Sequence, residues 1–184
     1  MHLNNFKIFY FIDHFEKDHL KNINSNISVI YRNYNKKLDE NLIYNINKFC
    51  RSKNIKFFLA NDINLAIKLR LDGVYIPSFN KKISVIKAKT KNLILLGSAH
   101  NIKEINEKKK QGVDFIFLTP IFRVEKRNSH LGAIKFNNFS KLNDYKSVAL
   151  GGINSKNINK VNLLNCYGIG SISYIKNNFK KIIQ

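Results

Sequence analysis

Five short stretches of the chain carry residue types that hold anions, ligate cations or move protons. Gly151-Gly152-Ile153-Asn154 and Gly168-Ile169-Gly170-Ser171-Ile172-Ser173 combine small and polar residues just ahead of helical patterns. Glycine lets a ligand approach the backbone, and free amides at a helix start carry positive partial charge, so Gly151, Gly152, Ser171 and Ser173 suit a phosphate. The plainer alternative is that the glycines only serve tight turns. Gly97-Ser98-Ala99-His100 offers an imidazole whose ordinary pKa of roughly 6.5 suits proton transfer near neutrality, or a simple structural hydrogen bond. Asn61-Asp62 could supply a magnesium ligand or a helix cap. Arg32, in Val29-Ile30-Tyr31-Arg32-Asn33, could pair with a carboxylate or phosphate, or lie on the surface.

Most of these residues end or follow β-branched and aromatic runs that read as buried parallel strands. The runs are Lys7 to Asp13, Ile27 to Asn33, Ile55 to Ala60, Gly73 to Pro77, Leu93 to Ser98, Asp114 to Pro120, Ser147 to Gly151 and Tyr167 to Ser171. Between them, apolar residues recur at helical spacing, as in Leu38, Leu42, Ile43, Ile46 and Phe49, or Ile63, Ala66, Ile67 and Leu71. Asp62 and Asn154 stand where N-caps belong. Eight βα units predict an α/β fold, a compact (β/α)8 barrel over 1–184 as one domain, with an open doubly wound sheet as the competitor. At 184 residues the chain is shorter than the roughly 250 typical of such barrels, so its loops must be minimal. The first and sixth crossovers, His14 to Asn24 and Ile121 to Leu131, are expected to be abbreviated. In this fold function collects at the C-terminal strand ends, with phosphate commonly held after strands seven and eight.

Composition narrows the partners. The chain has 32 Lys and Arg against 12 Asp and Glu, a formal charge of +20, with 44% hydrophobic residues, which excludes disorder and fibres. Lysine is spread along the whole length, as in Lys108-Lys109-Lys110 and Asn157-Ile158-Asn159-Lys160, and no aromatic-rich RNA motif accompanies it. Small phosphorylated ligands are therefore expected rather than nucleic acid. No apolar run is long enough to cross a bilayer and the start lacks a signal peptide's pattern, so a cytoplasmic location and no membrane partner are expected. Cys50 and Cys166 read as two buried thiols, without a disulfide framework or a zinc site. Phe15, Phe136 and Phe139 read as exposed aromatics that cover either a second copy of the chain or its own sixth crossover. His130, in the long loop, is a lid residue or, more simply, solvated.

Ala60-Asn61-Asp62, Leu71-Asp72-Gly73-Val74-Tyr75-Ile76-Pro77-Ser78, Gly97-Ser98-Ala99-His100, Thr119-Pro120-Ile121-Phe122, Leu131-Gly132 and Gly151-Gly152-Ile153-Asn154 together resemble the thiamine-phosphate synthase and TenI superfamily. The resemblance runs in order and at family spacing from about Lys7 to Ile175, and it too implies a (β/α)8 barrel. A synthase of this family joins a pyrimidine diphosphate to thiazole phosphate and clamps magnesium pyrophosphate with a Gln-x-Arg-x-Lys segment, where this chain has Ile30, Arg32 and Tyr34. Its two magnesium carboxylates would fall at Asp62 and Asn80. Its Thr-x-Thr-Lys loop would fall at Val124, Lys126 and Arg127.

TenI-like members act as thiazole tautomerases, dispense with the pyrophosphate machinery and use a histidine at the place of His100. Tyr75-Ile76-Pro77-Ser78 also looks more like their pattern. The resemblance thus implies a TenI-like thiazole tautomerase, with His100 as general acid/base and no metal or other cofactor. Gly152 and Ser173 would hold the phosphate of a small thiazole ligand and Arg32 would face its carboxylate. Asn61, Ser98, Arg127, Gly151 and Ser171 would complete the binding residues. One alternative is a synthase with a remodelled pyrophosphate site, using magnesium at Asp62 and Asn80, with Arg127 and the lysines replacing the missing clamp. The other is a non-catalytic barrel that binds thiazole phosphate or thiamine phosphate.

Overall fold

Each apolar run forms a strand, and the strands close on themselves. A computed structural model describes residues 6–21, 23, 25–35, 37–85, 91–125, 129–142 and 145–183. The strands are β1 (Lys7–Ile12), β2 (Ile27–Tyr31), β3 (Phe57–Ala60), β4 (Gly73–Ile76), β5 (Ile94–Ala99), β6 (Phe115–Leu118), β7 (Lys146–Leu150) and β8 (Gly168–Ser171). All pair in parallel in chain order, and β8 returns to β1, which excludes the open sheet. Strand periodicity sends alternate residues to opposite faces. Phe9, Phe11, Ile30, Phe58, Ala60, Tyr75, Leu96, Phe117, Val148 and Leu150 fill the barrel, while Ile8, Tyr10, Ile27, Val29, Phe57 and Leu59 face the outer layer. The aromatic fill packs edge to face, with Phe9 and Phe117 centroids 5.0 Å apart and Phe11 and Tyr75 5.1 Å apart. Each such buried ring contributes about 1.5–3 kcal/mol from burial alone.

The outer helices are α1 (Lys17–Lys21), α2 (Glu40–Ser52), α3 (Ile63–Lys68), α4 (Ile102–Lys110), α5 (Gly132–Lys141) and α6 (Ser173–Ile183). Asp62 caps α3 as expected, its carboxylate accepting the Leu65 amide at 2.9 Å. The first crossover is indeed brief, with a five-residue α1. The sixth is not abbreviated, because its long loop is followed by the ten-residue α5, anchored in the core by the fully buried Phe136. The seventh is the thin one: a six-residue 3-10 helix, Ile158–Leu163, stands where an α-helix was expected. Asn154 is not an α-helical cap. Its side chain accepts the Lys156 amide while Asn157 accepts the Asn154 amide, and such side-chain bonds close a turn in competition with helix.

Phe136 is buried, and Phe15 and Phe139 are half-buried against the same core, Phe15 edge-on to Phe49 at 6.0 Å, so these rings are used within the chain. Cys50 is buried and Cys166 only half-buried, and burial pushes both thiols up to about 12. His130 is exposed. No helix among the described residues is long and apolar enough to cross a membrane.

Candidate functional site

The parallel register lifts the C-terminal end of every strand to one rim. Tyr31 pairs with Leu59, Ala60 with Tyr75, Ile76 with Gly97, Ala99 with Leu118 and Leu150 with Gly170. Residues one step beyond, Arg32, Asn61, Pro77, His100, Thr119, Gly151 and Ser171, therefore crown the barrel. A cleft of about 380 Å³ opens there, bringing together four expected site residues, Arg32, Ser98, His100 and Gly151, with Tyr34, Tyr75, Phe79 and Thr119 also in its wall.

Tyr75 forms the floor. Burial pushes its hydroxyl up, and the neighbouring Ser98 and the Arg32 charge partly offset that. The Arg32 guanidinium, whose charge acts on that hydroxyl, lies 4.9 Å from the centroid of the Phe11 ring. This holds a fixed positive charge at the base of the cleft. His100 is held as firmly: its Nδ1 and its backbone amide both meet Glu104 Oε2 at 2.8 Å. Burial raises the Glu104 carboxyl, but the hydrogen bonds from His100 and Asn101 outweigh it and keep the group below its ordinary value. An ionised carboxylate only accepts, so Nδ1 carries a proton on the Glu104 side and Nε2 is the other nitrogen of the ring. Glu104 itself is fixed by Asn101, which caps α4 by accepting the Glu104 amide at 3.0 Å and donates back to its Oε1. The Asn-x-x-Glu spacing of a capping box is the sequence signal for this pair, and Glu104 was missed without it.

The β7 and β8 turns lie side by side but only Gly151 reaches this cleft. Gly151 and Gly152 have φ of +90° and +73°, and a Cβ on Gly152 would stand 2.5 Å from the Phe122 carbonyl oxygen. Ser171 is buried, its Oγ accepting the Tyr174 amide, while Ser173 opens α6 exposed to solvent. Arg127 and Lys126 lie outside the described residues. A turn that no β-carbon fits makes a sharp prediction: Gly152→Ala lowers stability by about 1–3 kcal/mol, readable as a drop in thermal midpoint. An unchanged midpoint would contradict the close packing of this turn.

A second groove, of about 980 Å³, adjoins the first across Phe79 and contains Asn61, Asp62, Asn80, Lys81, Lys82 and Lys91. Its loop is held from below by Lys108, which is fully buried and donates to the Pro77 and Asn80 carbonyls and to Gln111 Oε1 at 2.7–2.8 Å. Burial lowers the Lys108 ammonium to about 8. Its stem passes so close to Gly97 that a Cβ there would meet Cδ at 2.9 Å, which accounts for the glycine before Ser98. The groove's donors do not fit a two-carboxylate magnesium centre. Asn80 brings no charge, donates to Asn61 Oδ1 at 2.7 Å and accepts the Lys82 amide; Asp62 is the sole carboxylate among the described residues that line the groove, with Oδ1 committed to its cap.

Residues 22–175 match the sequence profile of the thiamine monophosphate synthase (TMP-TENI) family. The chain belongs to that family. Among its TMP-TENI relatives, Thiamine-phosphate synthase 1 of Streptococcus pneumoniae (strain ATCC BAA-255 / R6) is 28% identical over 148 residues, covering 77% of this chain and 71% of the relative. Thiamine-phosphate synthase of Actinobacillus succinogenes is 25% identical over 158 residues, covering 82% and 72%. A solved thiamine phosphate pyrophosphorylase from Pyrococcus furiosus superposes with a TM-score of 0.76 at 21% identity, over 98% of this chain and 95% of that one, a likeness of fold. Membership in the TMP-TENI family assigns this barrel to thiamine biosynthesis.

Proposed function

We propose that this chain is a thiamine-phosphate synthase, a transferase that joins a pyrimidine diphosphate to thiazole phosphate and releases diphosphate. The observation that carries this reading is the pair of adjoining clefts that share Phe79. Isomerising one substrate needs one pocket, whereas condensation must hold two partners side by side, one with a highly charged leaving group. The groove with Lys81, Lys82 and Lys91 suits that leaving group, and the Arg32–His100 cleft suits the smaller phosphorylated ring. The synthase names of the relatives point the same way.

In the reaction, the thiazole nitrogen gives its lone pair to the methylene carbon of the pyrimidine, and the carbon–oxygen bond breaks with its electrons leaving on diphosphate. No proton is removed from the attacking nitrogen. The protein's task is to align the rings and to set positive charge where the leaving oxygen gains electrons. Tyr34 and Phe79, edge to face at 5.5 Å and both more than half or about half exposed, frame the mouth through which a planar ring enters.

A second reading, the thiazole tautomerase, is favoured by one observation, the His100–Glu104 pair, which fixes an imidazole in the wall of the cleft. That reaction moves a proton on a dearomatised thiazole carboxylate phosphate and depends on such a base. His100→Ala separates the two. Under the synthase reading the variant keeps condensation within about tenfold of the parent, because no proton transfer limits the step. Under the tautomerase reading isomerisation falls by about 100-fold or more. Measuring both rates on both proteins decides between them, and a 100-fold loss of condensation would count against the proton-free route.

A further inference from the structure

We infer that the larger groove neutralises a diphosphate with lysine ammonium groups instead of a divalent ion, an inference that rests on the synthase reading for its substrate. Lys81, Lys82 and Lys91 line the groove against a single carboxylate, Asp62, so its described wall carries a net charge of 3 − 1 = +2. All three lysines are exposed. Lys81 sits 3.6 Å from Glu107, loosely held, which makes Lys82 and Lys91 the better placed to turn onto an anion.

The polar groups between them are arranged for an anion rather than a cation. A magnesium ion seeks hard oxygen donors with negative charge. Here Asn80 replaces charge with an amide, and the oxygens of both Asn61 and Asn80 already accept hydrogen bonds, from Asn80 Nδ2 at 2.7 Å and the Lys82 amide at 3.0 Å. Asp62 has spent one oxygen on the Leu65 amide. A second charge on the Asp62 side would be wanted for a metal and is missing; a surplus of ammonium groups, which a metal would repel, is present.

Titration calorimetry of the full chain with inorganic pyrophosphate, first in EDTA and then with magnesium, tests the inference. Binding is expected in EDTA, no weaker than with magnesium. The double variant Lys82→Gln, Lys91→Gln, at exposed positions that leave the fold intact, should raise Kd about tenfold or more, the effect of losing charge-assisted hydrogen bonds. Asp62→Asn is the more telling variant. Asparagine caps a helix as well as aspartate does, so α3 is kept, and removal of the one negative charge should tighten pyrophosphate by roughly two- to fivefold. Binding that requires magnesium, that disappears in Asp62→Asn or that ignores the two lysines overturns the inference, as does no binding under either condition. The two readings fail separately. Lysine-dependent binding in EDTA by a chain that makes no thiamine phosphate sinks the synthase reading alone. Thiamine phosphate formation that stops in EDTA, together with loss of pyrophosphate binding, sinks this inference alone.

Discussion

Arg32→Ala lowers kcat/KM for thiamine phosphate formation by about 100-fold, the scale seen when one fixed donor is taken from a developing or resident negative charge. The size follows from how the guanidinium is held. The Arg32 backbone amide bonds the Ile12 carbonyl at 2.7 Å and its head packs over the Phe11 ring, so its charge needs little reorganisation when substrate arrives. Arg32→Lys should recover only part of the rate, because a single ammonium on a flexible stem cannot both stack on the Phe11 ring and meet an anion in the guanidinium's fixed plane. Steady-state kinetics on the three proteins provide the check. A rate for Arg32→Ala within threefold of the parent would show that this residue is only part of the wall.

Lys108→Met lowers unfolding free energy by about 3 kcal/mol, which in a chain of this size corresponds to a thermal midpoint roughly 6–12 °C lower. Methionine matches the stem but donates nothing. The Pro77 and Asn80 carbonyls keep one other partner each, from the Asn80 amide and from Gln111 Nε2, while Gln111 Oε1 loses its donor. Against that, removing the ammonium relieves its burial, which is why the expected loss is less than the sum of three charged hydrogen bonds. The loop from Pro77 to Lys82 carries Phe79 and two of the groove lysines, Lys81 and Lys82, so the same variant should weaken pyrophosphate binding. Thermal denaturation and calorimetry on one preparation test both. A midpoint unchanged or raised would mean that the buried ammonium destabilises the loop it grips.

The barrel was legible because eight β-branched and aromatic runs, each followed by turn residues, leave little freedom in a chain of this length, and the rim residues were legible because they end or follow those runs. What escaped had physical reasons. The seventh crossover reads as a helix by its apolar spacing, yet Asn154 and Asn157 bond the local backbone and leave only a 3-10 turn. Lys108 sits in a run of three lysines and looks solvated; the signal against that is its spacing of three from the buried Ile105, which puts it on the inward face of α4. Asn80 showed in the sequence as a missing carboxylate, but its bond to Asn61 depends on β3 and β4 lying side by side and could not be read from either segment alone. Gly152 was assigned to ligand approach, and its neighbours show a second constraint, the carbonyls of Phe122 and Arg123 packed against it.

On the synthase reading two small molecules meet across Phe79 and are joined. Incubating the protein with the pyrimidine diphosphate and thiazole phosphate, and quantifying thiamine phosphate and released diphosphate in the same samples, tests that most directly. Both products are expected, in equal amounts and in proportion to protein. Neither product above the protein-free control, with isomerisation of the thiazole carboxylate phosphate accelerated instead, would contradict it.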